Sequence, residues 1–600
     1  MSPPPLERMP SRLLAAAAFA AVLAGAPALA QIPIVPGEPA LALKNEERAR
    51  LRLPTSEGVR LELADASAQA LGQVRAANAR SGRFKEREQA RRLVIGVHRA
   101  TDGEHGAMRA SGLRWIAVPG GHAAKVAVAS PGAQALRLGF ALLGVPEDVE
   151  MTFTGSADAS RAEGPVRVGS IADRTSTWWS PVTQGEAQTV EVFVPSHIDP
   201  RRLPLRVAGV SHLVAMPSGT LSKRLQDIGR SGSCNVDLPC SSLNANQAFR
   251  DAAASVAQMV FTDGPYTALC TGSLLNDADP SSQVPYFFSA NHCFENEAAP
   301  YKTAAQMQAV ANTLTTLWGF EASACGSAQP RAGWTQRSGG ATVLYNDVAS
   351  DALLLRLNDS PPAGAFFSGF DPNPIATGAA VASVHHPQGD LKKVTEGRVL
   401  GFSHDPSVGG VNASFIEVAW SRGTTEGGSS GGGLWTANGS QFLFRGGLWG
   451  GSALCSNTEG ADFYSRFDLA YPALAIHLAA QGGGGIDYTD LWWNPGESGW
   501  GLNLIQHPSR VIFGVWYTYD ANGKRTWYVL PSGTWTSSNT YTGPLYATAG
   551  PSIAQSFDAS KVHVMPVGTA TLSFSSADRG TFSYSVGAVS GSKAIERQPF

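Results

Sequence analysis

The sequence is poor in cysteine, in charge and in long apolar runs, and each shortage excludes something. Only six of its 600 residues are cysteine, and none lies before position 234 or after 455. No two are spaced Cys-x-x-Cys, and an export signal favours disulfides, so a zinc site is the weaker reading. Charged residues make up 16% of the chain and the formal charge is −2, which gives no basic excess to neutralise phosphates and no expectation of a nucleic-acid partner. The apolar run over residues 13–24 falls short of the roughly 20 residues a membrane span requires, and no later stretch is long and apolar enough to span. It follows Arg8 and Arg12 and precedes Ala28-Leu29-Ala30, the pattern of an export signal over residues 1–30, cleaved after Ala30. The remainder is expected to be secreted, extracellular and free of the membrane.

What is abundant is glycine (65) and tryptophan (14), which suggests turns and β-structure rather than long helices. Residues 31–228 carry no cysteine. They contain an Ala-, Gln- and Arg-rich helical stretch, 65–92, broken at Ser81-Gly82, then strand-like runs such as Trp115–Val118 and Thr189–Val194 between Pro-Gly and Gln-Gly turns. This block reads as an α+β pro-region. Residues 250–360 and 365–480 repeat one texture, short apolar runs between turns, which implies two β-barrels with a closing helix near 472–479. The run 481–485 is a Gly linker. Beyond it, 486–600 holds six tryptophans and a hairpin over 511–530, turned by Asp520-Ala521-Asn522-Gly523 with Asn-Gly at the φ > 0 positions. That is a small all-β accessory domain whose aromatics read first as core and second as a stacking surface for sugars or a polymer.

The chemistry centres on Gly428-Ser429-Ser430-Gly431-Gly432. Glycines around a serine let the chain turn tightly and allow the Gly428 and Ser430 N–H groups to converge on one point, a nucleophile beside an oxyanion hole. Upstream stand His292, at the end of an apolar stretch and followed by Cys293, and Asp351, opening the apolar run 352–357. The order His, Asp, Ser is that of chymotrypsin-like proteases. His292 would take the Ser430 proton and Asp351 would orient the ring. Asp347 is the rival acid. Six cysteines allow fifteen pairings; a Cys270–Cys293 bridge would fix the histidine loop.

Cys234–Cys240, Cys270–Asn276, Asn291-His292-Cys293, Val384–Pro387, Gly428–Gly431 and Asp462–Arg466 together resemble a bacterial lysyl endopeptidase, a secreted trypsin-like serine protease, over roughly residues 229–480. The resemblance implies a mainly β chain with a chymotrypsin-like double β-barrel, preceded by the pro-region and followed by the accessory domain. It implies bridges Cys234–Cys455 and Cys240–Cys325, a pocket floor at Asp462, and a substrate-pairing strand containing Trp449, Gly450 and Gly451. It implies cleavage of protein or peptide substrates after Lys, with Arg possible in principle because Trp449 stands where the family has a histidine and no partner tryptophan is evident near 405–410. Neither cofactor nor metal is expected. His385-His386 does not read as a metal pair, since neighbours on a strand face opposite ways. The pro-region would serve as folding aid and inhibitor, and the processed enzyme would be a monomer. The competing class is a catalytically silent exported binding protein acting through residues 486–600. The family's processing point corresponds to Gly229, but Ile228 is not basic, so self-processing is expected at Lys223, Arg224 or Arg230. Amino-terminal sequencing of the secreted chain decides this: a start far from all three would remove it.

Overall fold

The computed structural model describes residues 32–41, 51–54, 58–65, 67–80, 92–101, 109–215, 230–279, 282–296, 300–408, 411–479, 487–506, 511–520, 522–537, 539–552, 554 and 556–598. The export signal, Lys223, Arg224 and the Gly linker lie outside these residues.

The first barrel uses the strands Val256–Asp263, Tyr266–Leu275, Tyr286–Ala290, Thr315–Trp318, Thr335–Arg337, Ala341–Asp347 and Ala352–Leu357. Its strands are apolar on both faces for a reason visible in Val256–Asp263. Ala257, Met259 and Phe261 point into the barrel with Leu274, Phe287 and Leu355, while Val260 points outward into a second cluster with Leu93, Val97 and the helix residues Ala70 and Val74. A strand covered on both faces reads as a continuous apolar run. The second barrel closes on itself, because Lys393–Val408 pairs with Ala380–His385 on one side and Val411–Arg422 on the other. Helix Phe467–Leu478 packs Phe467, Tyr471 and Leu474 against Phe288 and Leu354 of the first barrel and Phe444 of the second, near the position expected. The cysteines pair as 234–455, 240–325 and 270–293.

The N-terminal block is α+β: helix Ser67–Arg80, and a sheet ordered Val59–Glu62, Gly121–Ala129, Ala187–Pro195, Glu150–Gly155, Ala162–Arg167. Its attachment to the barrels was not legible in the sequence. Strand Leu93–Ala100 adds antiparallel to Tyr266–Leu275, so that strands of the block and of the first barrel form one twelve-stranded sheet. Residues 32–41 also lie against the barrels, with Val35 buried and bridged to Phe370, and Glu38–Pro39 paired to Phe366–Phe367.

The C-terminal strands form a nine-stranded sheet closed by a Val529–Tyr546 pairing. Trp492, Trp516, Tyr541 and Phe574 fill its core, whereas Tyr517 and Trp527 are half exposed and paired on the outer face. The hairpin turn departs from expectation. The last pair is Tyr519–Arg525, the Asp520 carboxylate accepts the Asn522 and Lys524 N–H groups, and Gly523 alone among the described turn residues has positive φ.

Arg137 of the N-terminal block is fully buried and donates to the carbonyls of Ser180 (3.3 Å) and Thr313 (2.6 Å) and to Thr315 Oγ1 (3.0 Å). A buried acceptor stripped of its donor costs about 1–3 kcal/mol. Arg137→Ala is therefore expected to destabilise the intact chain by about 3 kcal/mol or more, read as a lower midpoint in urea unfolding; an unchanged midpoint would show that this contact does not hold the block to the barrel.

Candidate active site

His292 lies in a tight turn, Asn291–Cys293, that ends strand Tyr286–Ala290, and Asp351 immediately precedes strand Ala352–Leu357. The two strands run antiparallel with Ala290 opposite Ala352. The residue leaving one strand therefore meets the residue entering the other. The Asp351 carboxylate accepts the His292 backbone N–H through Oδ1 (2.8 Å) and faces the ring Nδ1 through Oδ2 (2.8 Å). The Asp351 carbonyl also accepts the Asn291 N–H (3.0 Å). This arrangement requires Asp351 at φ +52°, a left-handed conformation costing a non-glycine residue about 1 kcal/mol or more. Asp347 acts elsewhere: its carboxylate accepts the Ser350 N–H (2.9 Å) and hydroxyl (2.5 Å) and caps the turn.

Ser430 arrives from the second barrel. The Ser429 N–H donates to the Glu426 carbonyl and the Gly432 N–H to the Ser429 carbonyl, with φ +90° at Gly428 and +80° at Gly431. A Cβ on Gly431 would stand 2.2 Å from the Thr271 carbonyl oxygen and 2.9 Å from the Ala290 nitrogen. Glycine there lets the serine loop press against the end of the histidine strand. The Thr271 N–H completes the contact by donating to the Ser430 carbonyl (2.8 Å). His292 Nε2 is buried with no hydrogen-bond partner among the described residues; in a catalytic triad the hydrogen bond at this nitrogen commonly tightens only with substrate bound.

Several supporting contacts were not read from the sequence. Ser429 Oγ is 2.8 Å from His385 Nδ1 and accepts the Glu426 N–H. Burial, with Lys393 adding to it, pulls His385 down to about 3, so its ring is neutral. His386 Nδ1 lies 2.9 Å from the Asp390 carbonyl, and the two rings are engaged separately. The Glu426 carboxylate accepts the Gly232 N–H (3.0 Å) and Asn235 Nδ2 (3.1 Å), which ties the serine loop to the segment bridged by Cys234–Cys455.

Asp462 lies on strand Ala461–Ser465, opposite Val418 on one side and Gly451 on the other. It is fully buried; Oδ2 accepts Trp420 Nε1 (2.6 Å) and Thr425 Oγ1 (2.7 Å), and Oδ1 has no hydrogen-bond partner among the described residues. A Cβ on Gly451 would fall 2.3 Å from that oxygen. Burial pushes the carboxyl up to about 6, opposed by the Trp420 and Thr425 hydrogen bonds and more weakly by the Ala453 amide. Trp420 is 42 residues from Asp462, and nothing local announces the contact. Trp449 stands at a register shift between Leu448 and Gly450 and stacks on Phe415, with ring centroids 5.0 Å apart. A bulge of this kind re-aims a side chain, and the aromatic neighbour on which Trp449 stacks is Phe415.

Two family models match: Lysyl endopeptidase N-terminal domain over residues 62–214 and Lysyl endopeptidase, C-terminal domain over residues 228–465. A lysyl endopeptidase of Pseudomonas aeruginosa is 35% identical over 386 residues, covering 61% of this chain and 78% of the relative. Among solved structures, the active form of the Rv3671c protease from M. tuberculosis covers 43% of this chain and 92% of its own at 19% identity and a TM-score of 0.26. The MamO protease domain from Magnetospirillum magneticum covers 38% and 98% at 12% identity and a TM-score of 0.25.

The unpartnered oxygen of Asp462 predicts that the processed chain binds a small alkylammonium ion. Only the carboxylate form attracts it, so affinity should be level above the carboxyl's value of about 6 and fall about tenfold per pH unit below it. Binding in turn lowers that value. Calorimetric titration with n-butylammonium checks this, and an affinity independent of pH would exclude Asp462 as the partner.

Proposed function

Since this chain belongs to the lysyl endopeptidase family and is a serine endopeptidase, we propose that it is secreted and hydrolyses peptide bonds after lysine, accepting arginine, through His292, Asp351 and Ser430 and an acyl-enzyme intermediate. The observation that carries the substrate reading is the buried Asp462 oxygen without a partner among the described residues. A cognate ammonium or guanidinium supplies the missing donor, whereas an apolar side chain would leave a desolvated acceptor unpaired.

In this mechanism His292 Nε2 takes the proton of the Ser430 hydroxyl as its oxygen attacks the carbonyl carbon, and returns it to the leaving amine. Asp351 keeps the proton on Nδ1 and stabilises the imidazolium. The Gly428 and Ser430 N–H groups receive the oxyanion. Water then repeats the sequence on the acyl-enzyme. Leu448–Gly451 aligns the acyl half of the substrate as a strand, with Trp449 on Phe415 walling the pocket mouth. An aromatic wall in place of the family's histidine supports tolerance of the broader guanidinium. The N-terminal block acts as folding aid and inhibitor until processing separates it. Silent binding through residues 486–600 is not carried forward, because the chain is an enzyme.

Initial rates on matched peptide esters ending in Lys, Arg or Phe test this. Lys and Arg esters should be cleaved and the Phe ester left nearly intact. Ser430→Ala should lose on the order of 10⁴–10⁶ in rate, and Asp351→Asn about 10⁴, while Asp347→Asn retains most activity. Equal rates on all three esters would remove the role of Asp462, and full activity of Asp351→Asn would remove the triad as assigned.

A further inference from the structure

With the acyl half of the substrate on Leu448–Gly451, its leaving half must run out across the first barrel. The edge available there is the first part of strand Tyr266–Leu275. That strand pairs with Val256–Asp263 on one side. On the other, Ser273–Leu275 pairs with Tyr286–Phe288, and among the described residues Tyr266–Leu269 pairs with Leu93–Val97 of the N-terminal block. The covered edge leads directly to the chemistry. Leu269 is followed by Cys270, bridged to Cys293 beside His292, and by Thr271, whose N–H meets the Ser430 carbonyl. Leu93, opposite Leu269, thus lies about 7 Å of strand from that contact. Its side chain also reaches within 3.7 Å of the Cβ position of Gly427 in the serine loop. From there Leu93–Val97 runs away from Ser430 along the track of a departing peptide.

Arg92 begins this track. Its Nη1 donates to Asp263 Oδ2 (2.5 Å) and to the Cys293 carbonyl (3.3 Å). Asp263 also accepts Lys302 Nζ (2.9 Å), which is itself anchored on the Phe294 carbonyl (2.6 Å). Burial alone would raise the Asp263 carboxyl, but Arg92 and then Lys302 outweigh it and hold the group below the usual carboxylate range. Once the N-terminal block leaves, Asp263 and the Cys293 carbonyl both lose the guanidinium, and the strand edge loses its partner. An exposed edge of this kind binds an extended peptide by strand addition.

We propose that Asp263 selects a cationic side chain in the leaving half of the substrate, one or two residues past the cleaved bond, and that Arg92 imitates that residue in the precursor while Leu93–Val97 blocks the same edge. The proposal rests on the reading of Ser430 and Asp462 above. It makes Asp263 a specificity residue distinct from the pocket for the acyl side chain, and the Arg92 contact a competitive one.

The test uses processed enzyme and quenched peptides with one lysine as acyl residue, carrying arginine or its neutral isostere citrulline at the first or second position after the bond. Product masses identify the bond cut. Arginine should exceed citrulline in kcat/KM by about tenfold at low salt, chiefly through KM, and the ratio should shrink as salt screens the pair. Asp263→Asn should bring the ratio to about one whatever its absolute rate. Equal rates on the two wild-type peptides overturn the proposal, as does an undiminished ratio in a folded Asp263→Asn; if that variant does not fold, the wild-type comparison decides. A lysine ester that is cleaved while the peptide ratio stays at one sinks this inference alone, whereas an ester that resists cleavage sinks the reading beneath it.

Discussion

Asp351 holds His292 twice, by ring and by backbone, and much of the site depends on that double hold. One carboxylate oxygen fixes the turn and the other the imidazole, so turn and ring cannot move independently. The geometry is available only because Ala290 and Ala352 are paired across two buried strands and because Asp351 accepts a left-handed backbone. Strain of this kind persists where the surroundings over-determine it. Here the Asn291 amide, the Cys270–Cys293 bridge and the packed strand behind Asp351 do so. The serine loop is then positioned against this rigid end, with Gly431 thin enough to touch it.

The proposed pocket works by the opposite device. Both oxygens of the Asp351 carboxylate are engaged, whereas Asp462 retains one buried oxygen without a donor among the described residues. An unsatisfied buried acceptor destabilises the empty enzyme; under the proposed reading a cationic substrate relieves it, and part of the binding selectivity is then stored in the fold as a desolvated charge. The rise of its carboxyl to about 6 is the same fact seen as a proton equilibrium. Trp420 and Thr425 hold the second oxygen and keep the carboxylate from turning away.

The N-terminal block is more than a detachable cover. It extends the first barrel's sheet, covers the outer apolar face of Val256–Asp263, and inserts Arg137 against the Thr313 carbonyl and the Thr315 hydroxyl of the barrel. A barrel of long-range pairings folds slowly and exposes edges meanwhile. A block that pairs with one such edge and buries one such face lowers both hazards, so the proposed roles of folding aid and inhibitor would share one physical origin.

The order His292, Asp351, Ser430, the glycines that shape the serine loop, the two-barrel texture and the α+β character of residues 31–228 are all properties of local sequence, since they depend on residue type, spacing and backbone freedom. The motifs at Asp462 and the cysteines pointed to a pocket and to bridges through resemblance to a family. What only the tertiary structure decided were contacts between residues far apart in the chain. Asp351 rather than Asp347 touches the ring because of strand register. Trp420 reaches Asp462, and Phe415 meets Trp449, because neighbouring strands of a closed barrel bring them together. Residues 32–41 and 93–97 lie on the barrels because edges left by one segment were completed by another. Sequence pattern records which face of a strand is apolar; it does not record what covers that face, because pairing energy depends on a partner whose distance along the chain is unconstrained.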